Sequence, residues 1–524
     1  MQDPAVEAQI AELLELARQA YDAGRVADCE TILVGLRGIA RTNLEVNRQL
    51  GILLASRGAF QAAREPLEDA VQANPNDDVA LFVLSACAFA TGDYQAALSY
   101  ADRSLRLNNG SADAHGNRGN ALLRLGRLDE ALEALSAAQT LSPRDPAMLA
   151  NIANVLSDLG RHAEALEHLE RALALDPRLA VAELNLGNVL QRLDRYEDAV
   201  AAYSRAIALA PDLADAYANR GICRLLLGDF AAGWRDYEWR WRRDVAAFRP
   251  RGFAQPLWRG EEDLAGRTIL LHGEQGFGDC IQFARYAREV ARRGATVILE
   301  VEPALAALFA DLPGVAQVAR RDDPLPPFDL HIPLMSLPLA LGQPEPPADA
   351  APYLAAPADR LAAWTERLGG QTAPRVGLAV SGRPTHGNDR NRSLSVEALS
   401  PHLPAGLDYH LLQREVRERD REALAERPDV RVWADALGDF ADTAALTQLM
   451  DLVVSVDTSV AHLAGALGRP TALLLPAQPD WRWGLNATDT PWYAGMRLYR
   501  QARLGDWESP LKTLATDLAV LVRA

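Results

Sequence analysis

The first half of the chain repeats its pattern of small, apolar and polar positions every 34 residues. A glycine marks each unit except one, where Asp194 takes the slot, and small alanines and prolines follow the same interval. Glycine suits the turn between two helices, alanine lets them approach closely, and proline ends the second helix. The pattern therefore predicts helical hairpins that stack into an extended superhelix with a concave surface. The repeated positions are Gly24, Gly58, Gly92, Gly126, Gly160 and Gly228; Ala63, Ala97, Ala131, Ala165 and Ala199; and Pro75, Pro143, Pro177 and Pro211.

Asparagine occupies one slot of the first helix in four consecutive units, at Asn117, Asn151, Asn185 and Asn219. Asparagine is a mediocre helix former, so its repeated use indicates a role. Its amide both donates and accepts hydrogen bonds, as pairing with the backbone of an extended peptide requires. A second interpretation stays open, in which the amides bond neighbouring repeats and fix their stacking.

The second half alternates short apolar runs with helical patterns. A buried-strand run at 268–272 precedes a glycine-rich turn and an amphipathic segment at 281–293, and a further strand is predicted at 296–301. A proline-rich stretch at 324–357 separates this lobe from a second one that begins near Arg375, with strands predicted at 376–380, 410–413, 452–456 and 471–475. Such alternation predicts parallel sheets with ligands at the carboxyl ends of the strands.

The predicted architecture is an α-solenoid followed by an α/β part built from two Rossmann-like lobes. We place the repeats at 1–244, a linker at 245–263, the first lobe at 264–358 and the second lobe, with a C-terminal helix, at 359–524.

Composition narrows the classes of partner. The chain has 524 residues, a formal net charge of −16 and a pI near 5.1, and an acidic surface repels nucleic acid. Its start lacks the features of a signal peptide, and no apolar run approaches the ~20 residues that cross a bilayer, so we expect a cytoplasmic protein without membrane insertion. Four scattered cysteines favour inert packing thiols over a zinc site or a disulfide framework.

The 34-residue lattice over about residues 8–244 resembles the tetratricopeptide repeat family. The slot of Asn117, Asn151, Asn185 and Asn219 resembles the asparagine ladder of the eukaryotic O-linked N-acetylglucosamine transferase, which holds acceptor polypeptides along the concave face. Trp234, Tyr237, Trp239 and Trp241 crowd the last repeat helix, and we expect these rings to dock the next domain.

Two segments of the second half resemble the heptosyltransferase-like glycosyltransferases of the GT-B architecture: Gly273-Glu-Gln-Gly-Phe-Gly-Asp279, and Ser455 to Ala464 with its Asp457-Thr-Ser and His462. The resemblance covers about residues 264–520. Glycine spacing in the first segment is GxxGxG, which disfavours the dinucleotide-binding alternative GxGxxG. Together with the repeats, the chain resembles bacterial repeat-fused glycosyltransferases that modify flagellin.

The resemblance assigns the catalytic base to Asp279, which follows the flexible glycine turn at a helix start. The alternative is a simple helix-capping aspartate. On the donor side, Asp457, Thr458 and Ser459 lie between a buried strand and a helix, where free backbone N–H groups and the helix dipole favour phosphate. The resemblance implies that Asp457 contacts the donor sugar, that Thr458 and Ser459 contact the phosphates and that His462 supports this cradle. Capping together with a core histidine is the alternative.

Further donor contacts are predicted from residue type and position. The loop 381–393 concentrates cations and turn formers after a strand end, so Arg390, Arg392 and Ser393 are expected to bind nucleotide phosphate, with a solvated surface loop as the alternative. Gln413 is expected to contact the base and Trp481 to wall the pocket, although a buried Trp is more often packing. With no DxD-type carboxylate pair at a plausible strand end, we expect neither a metal nor a cofactor.

These observations predict a metal-independent, inverting protein glycosyltransferase that binds an acceptor protein, flagellin by resemblance, through its repeats. It transfers a sugar from a nucleotide donor to Ser or Thr, and nonulosonic acids are among the candidate sugars. Two alternatives stay open: a protein-binding scaffold whose transferase part is inactive, and a transferase that acts on a lipid-linked saccharide.

Overall fold

A computed structural model describes residues 4–243, 245, 250–348, 350–385 and 387–523. It divides into two compact units, Met1–Asp212 and Leu213–Ala524. Residue 244, at the end of the predicted repeats, and residues 246–249 of the predicted linker lie outside the described residues, as does His386 of the loop 381–393.

The first unit is all helical in its described part, and its helices pair into six antiparallel hairpins. The helices are α1 (Pro4–Asp22), α2 (Val26–Ile39), α3 (Leu44–Ser56), α4 (Phe60–Ala73), α5 (Asp78–Ala90), α6 (Tyr94–Leu107), α7 (Ala112–Arg124), α8 (Leu128–Leu141), α9 (Pro146–Asp158), α10 (His162–Leu175), α11 (Ala180–Arg192) and α12 (Tyr196–Leu209).

The 34-residue lattice has the physical basis that the sequence indicated. Each turn glycine of this unit has a left-handed backbone, for example Gly92 with φ 82° and Gly160 with φ 78°. Asp194 adopts the same conformation with φ 60°, and its carboxylate accepts a hydrogen bond from Tyr196. The lattice alanines of the second helices, such as Ala131, are fully buried where helices meet. The predicted helical solenoid is confirmed.

The second unit begins with a seventh hairpin, α13 (Ala214–Leu226) and α14 (Phe230–Tyr237), which runs into a 3₁₀ helix at Glu238–Arg242. From residue 250 the chain covers one face of the first lobe. Trp258 is buried and its backbone N–H donates to the carbonyl of His331, while Phe253 packs over His272 and His331.

The first lobe contains a parallel four-stranded sheet of order β3-β2-β1-β4 among the described residues. Its elements are β1 (Thr268–His272), α15 (Phe277–Ala284), α16 (Ala287–Arg292), β2 (Thr296–Val301), α17 (Pro303–Ala306), β3 (Gln317–Arg320), β4 (Leu330–Pro333) and α18 (Leu337–Ala340). The strand order reverses at β1 and β4, so the loops that follow these two strands flank one crevice.

The second lobe contains a parallel sheet of order β10-β9-β8-β5-β6-β7 in the described part, which is the doubly wound arrangement. Its switch point lies between β5 and β8. The elements are α19 (Ala358–Leu368), β5 (Arg375–Ala379), α20 (Asp389–Arg392), α21 (Val396–Leu399), β6 (Asp408–Leu411), α22 (Glu418–Ala425), β7 (Val430–Val432), α23 (Phe440–Gln448), β8 (Leu452–Val456), α24 (Ser459–Ala466), β9 (Thr471–Leu475), β10 (Met496–Arg500) and α25 (Glu508–Leu521).

Two details differ from the sequence interpretation. Strand β4 lies inside the proline-rich stretch that was expected only to separate the lobes; Pro333 is tolerated there because it ends a strand at the edge of the sheet. The amphipathic segment predicted at 281–293 is divided between α15 and α16.

Within the described ranges, no helix combines the length and the apolar character that a membrane span requires.

Candidate functional site

Asp279 lies in the first turn of α15, directly after the glycine-rich turn that follows β1. Its Oδ2 accepts a hydrogen bond of 2.8 Å from the backbone N–H of Gly276, and its side chain is 19% exposed. The capping contact that we considered as an alternative is therefore present. This capping contact uses Oδ2 of Asp279, and the other carboxylate oxygen, Oδ1, has a different partner.

The second oxygen of Asp279 accepts a hydrogen bond from Arg482, a residue of the other lobe. Arg482 is buried, donates to Asp480 at 2.8 Å and to Gln282 of α15, and lies over the ring of Trp481. Burial alone would lower the pKa of Arg482, but the carboxylates of Asp480 and Asp279 raise it above its ordinary value. Arg482 thus remains a cation between the two lobes.

The segment between β8 and α24 forms the opposite wall. Thr458 is the N-cap of α24, and its hydroxyl accepts a hydrogen bond of 3.1 Å from the N–H of Val460; Ser459 is the first residue of that helix. Burial and the neighbouring Asp480 raise the pKa of Asp457 to about 6, against the opposing effect of Arg392 and Arg482. Polar backbone, a helix N-terminus and two cations therefore surround this carboxyl.

The loop after β5 brings Arg392 to the same place. Its Nη1 donates to the carbonyl oxygen of Asp457 at 2.9 Å, and its guanidinium lies against Gly382, where a Cβ would come within 2.7 Å of Nη2. Ser393 is buried and donates to Asp389 at 2.6 Å, which holds the loop. Arg390 is exposed. The structure places Arg392 beside Asp457, whereas Ser393 is engaged within its own loop.

Gln413 and Trp481 are occupied by neighbours within the protein. The Gln413 amide accepts from the N–H of Val380 at 2.8 Å and donates to Ser381 and to the carbonyl of Glu415, so it fixes the loop after β5. Trp481 is buried in an aromatic cluster with Trp234 and Trp492. Their roles toward a nucleotide stay predictions.

His462 lies where the lobes meet. Helix α15 packs against α24, and a Cβ built on Gly278 would lie only 2.7 Å from the ring of His462. The imidazole is buried and hydrogen-bonded at 2.9 Å to the hydroxyl of Tyr493, and burial holds its pKa well below its usual value. His462 is therefore neutral, and Arg482 is the shared neighbour of Asp279 and Asp457.

The asparagines of the repeats are half-buried on the first helices of their hairpins. The amide of Asn117 donates to the carbonyl of Phe82 and that of Asn185 to the carbonyl of Ala150, each at 3.5 Å and each in the preceding hairpin. Asn151 occupies the equivalent position in α9, and Asn219 does so in α13 of the second unit. The contacts are long, so both interpretations of this slot stay open.

Sequence reasoning missed Arg482 as a charged group at the site. The segment Asp480-Trp-Arg-Trp483 attracted attention only as aromatic surface. A buried cation flanked by two tryptophans and preceded by a carboxylate was the available signal, but its partner Asp279 lies 203 residues away in sequence.

A cavity of about 490 Å³ lies elsewhere, between α16 and the segment 352–358, with Arg285, Arg288 and Asp311 in its wall. Among the residues that the structure describes, no group of three His, Cys, Asp or Glu side chains is arranged to hold a metal ion.

The fold defines the class of protein. It consists of helical repeats joined to a two-lobed α/β domain, and the loops of the two lobes meet near the switch points of their parallel sheets. Comparison with known families agrees. Tetratricopeptide repeat models match residues 48–112, 88–146 and 144–212, and the model of glycosyltransferase family 9 (heptosyltransferase) matches residues 419–491. The chain therefore carries tetratricopeptide repeats in its first half and, within its second lobe, a segment that matches glycosyltransferase family 9.

Protein FlbA of Caulobacter vibrioides is 28% identical over an alignment of 333 positions, which covers 57% of this chain and 54% of that protein. The chain thus spans about half the length of this curated relative. Among solved structures, a thermophilic TPR protein of Thermus thermophilus is 24% identical, with a TM-score of 0.32, over 35% of this chain and 100% of the other. For pilF of Pseudomonas aeruginosa the identity is 21% and the TM-score 0.33, over 38% of this chain and 90% of the other.

Proposed function

We propose that the chain is a metal-independent, inverting glycosyltransferase that binds an acceptor protein through its repeats and transfers a sugar from a nucleotide donor to a Ser or Thr hydroxyl. The observation that carries this proposal is the position of Arg482, which is hydrogen-bonded to Asp279 of the first lobe and lies close enough to Asp457 of the second lobe to oppose the rise of its pKa. A carboxylate opposite a helix N-terminus supplies the base and the leaving-group site that glycosyl transfer needs.

In the proposed reaction, Asp279 accepts the proton of the acceptor hydroxyl while the hydroxyl oxygen forms a bond to the anomeric carbon. The bond from that carbon to the donor phosphate breaks on the opposite side, and the nucleotide leaves with the electron pair. A single displacement inverts the configuration. The proton passes from Asp279 to solvent after product release.

On the donor side, the N–H groups at the start of α24 and the guanidinium of Arg392 are suited to the leaving phosphate, because cations and helix N-termini stabilise developing negative charge. Arg482 serves the same purpose from the crevice wall. Asp457, with its pKa near 6, is suited to a hydrogen bond with a sugar hydroxyl.

The acceptor is proposed to be a protein because tetratricopeptide repeats are protein-binding superhelices with an extended concave surface. Flagellin is the first acceptor to test, since the combination of repeats and transferase resembles flagellin-modifying enzymes. Nonulosonic acids linked to CMP are the first donors to test, alongside other nucleotide sugars.

The test is the variant Asp279→Asn, whose amide oxygen can still accept the capping hydrogen bond from Gly276 but which has no carboxylate to act as the base. We expect transfer to fall by about 10²- to 10⁴-fold, the range for loss of a general base, while nucleotide affinity stays close to wild type. Calorimetry with free nucleotides and product analysis by mass spectrometry measure the two quantities separately. Equal transfer by the variant would remove Asp279 as the base, and a wild-type chain that binds no nucleotide would favour the inactive scaffold.

A further inference from the structure

The turn that carries Asp279 is held from outside the α/β domain. Glu274 follows β1 by two residues, is 3% exposed at its side chain and accepts a backbone hydrogen bond of 3.0 Å from Met335. Its remaining partner is Arg240, which belongs to the 3₁₀ helix that ends the seventh repeat. Arg240 donates from Nε and Nη2 to the two carboxylate oxygens, at 3.0 Å each.

Arg240 is fully buried and is fixed by its own surroundings. It also donates to the hydroxyl of Ser336 at 2.9 Å and to Glu238 at 2.6 Å, and its guanidinium lies over the ring of Tyr237. Such a planar, two-point pair restrains both position and orientation, which a lysine in the same place would not do.

A second bond from the same repeat reaches the next residue of the turn. The amide of Gln275 donates to the hydroxyl of Tyr237, the last residue of α14, at 2.8 Å. One helical turn earlier, Trp234 donates to the carbonyl of Pro344 at 2.9 Å and packs edge-on against Trp481, the neighbour of Arg482. The seventh repeat therefore contacts both walls of the crevice.

Docking alone does not account for this pattern. Apolar rings such as Trp234 are sufficient to join two domains, whereas burying Arg240 and Glu274 together imposes a desolvation cost that good geometry must offset. The ion pair of Arg240 with Glu274 and the hydrogen bond of Gln275 to Tyr237 involve consecutive residues of one turn. This turn comes shortly before Asp279 along the chain.

We propose that the seventh repeat is part of the catalytic machinery: Arg240 and Tyr237 are positioning residues that hold the turn Gly273–Asp279 so that Asp279 faces the donor crevice. This inference rests on the proposed function. It implies that the transferase domain depends on the end of the repeat array for its chemistry and not only for its acceptor.

The experiment compares full-length variants. Arg240→Met removes the pair, Arg240→Lys keeps the charge without the two-point geometry, and Tyr237→Phe removes one oxygen. Arg243→Ala is the matched control, because Arg243 lies in the same segment but pairs with Asp215 of α13. The lysine and phenylalanine variants keep the test available if Arg240→Met does not fold.

Two readouts are needed. Hydrogen exchange of peptides covering 273–281 reports the turn directly, since the N–H of Gly276 bonds Asp279 and that of Cys280 bonds the carbonyl of Gly276. Steady-state kinetics gives kcat and the KM for the donor. We expect faster exchange in Arg240→Met and Tyr237→Phe, and a loss of about 100-fold in kcat for Arg240→Met with little change in KM.

Unchanged exchange at the turn, or a kcat that falls only with the folded fraction, would overturn the inference. A kcat in Arg240→Lys that stays as low as in Arg240→Met, with equally fast exchange at the turn, supports it, because a lysine does not restore the two-point geometry. If exchange rises as expected but the wild-type chain transfers no sugar, the turn is anchored as described and the proposed function is what fails.

Discussion

Asp457 is the residue at which the electrostatics of the crevice are most readily measured. Its pKa is raised from 3.8 to about 6, first because of burial and then because of Asp480. A carboxyl that binds its proton more tightly in the folded chain contributes stability that is fully present below pH 3.8 and is lost as the pH rises through 6.

We therefore expect Asp457→Asn, which never ionises, to gain stability relative to wild type as the pH rises from about 4 to about 7.5. The gain should be on the order of 2 kcal/mol for a shift of this size. All ten tryptophans lie in the second unit, so their fluorescence during urea unfolding follows that unit alone. If the urea midpoints of wild type and Asp457→Asn differ by the same amount at both pH values, the raised pKa of Asp457 is contradicted.

At this scale the sequence located residues in the fold better than it located their contacts. Asp457 and Thr458 were singled out because they come right after a buried strand, and Asp279 because it follows a glycine turn at a helix start; both places are strand-to-helix connections, where parallel sheets place their ligands. The role of Arg482 could not be predicted, because Asp279 and Gln282 come from the other lobe and no local pattern specifies which distant carboxylate a cation meets. Gln413 was assigned to a nucleotide from its place at a strand end, but its amide is used by the loop beside it.

Among the elements, α15 and α24 form the contact that brings the two lobes together. The approach depends on Gly278, since a Cβ there would lie 2.7 Å from the ring of His462. The ring has little freedom to move, because its Nδ1 is bonded to Tyr493 and the ring of Trp483 lies 5.3 Å away.

Gly278→Ala should therefore separate the two helices. We expect a cost of about 1–3 kcal/mol from overpacking and a loss of transfer of about 10- to 100-fold, because Asp279 lies one residue further on. Gly370→Ala is the control, since a Cβ at Gly370 meets open space. Transfer rates that match between the two variants would show that the close approach is not needed.

The elements themselves were predicted where one rule dominates. The runs at 268–272 and 452–456 become β1 and β8, because strands buried on both faces must be continuously apolar. Short strands such as β3 and β7 at the sheet edges carry no such pattern, and both were missed. Asp194 can replace glycine at this position of the 34-residue lattice because aspartate tolerates the left-handed conformation better than most residues.

For the whole molecule, the open question is what the asparagine slot binds. If it holds an extended acceptor, Asn151→Ala combined with Asn185→Ala should weaken flagellin binding by about tenfold or more, the effect of losing two hydrogen bonds. Thermal stability should change little, because the amide contacts between hairpins are as long as 3.5 Å. Asn76→Ala, in an exposed turn, is the control.

A large drop in thermal stability with unchanged flagellin affinity would assign the slot to repeat stacking instead. A lipid-linked saccharide as acceptor would be favoured if the double variant transfers sugar to such a substrate at the wild-type rate while the wild-type chain leaves flagellin unmodified.

The central claim is that Asp279 and the opposing segment of the second lobe perform sugar transfer onto a protein. The most direct measurement is the intact mass of flagellin co-expressed with the chain and with a nucleotide-sugar supply. We predict that the wild-type chain adds whole multiples of one sugar residue and that Asp279→Asn adds none. Flagellin modified equally by that variant, or left unmodified by the wild-type chain with every donor that it binds, would contradict the account.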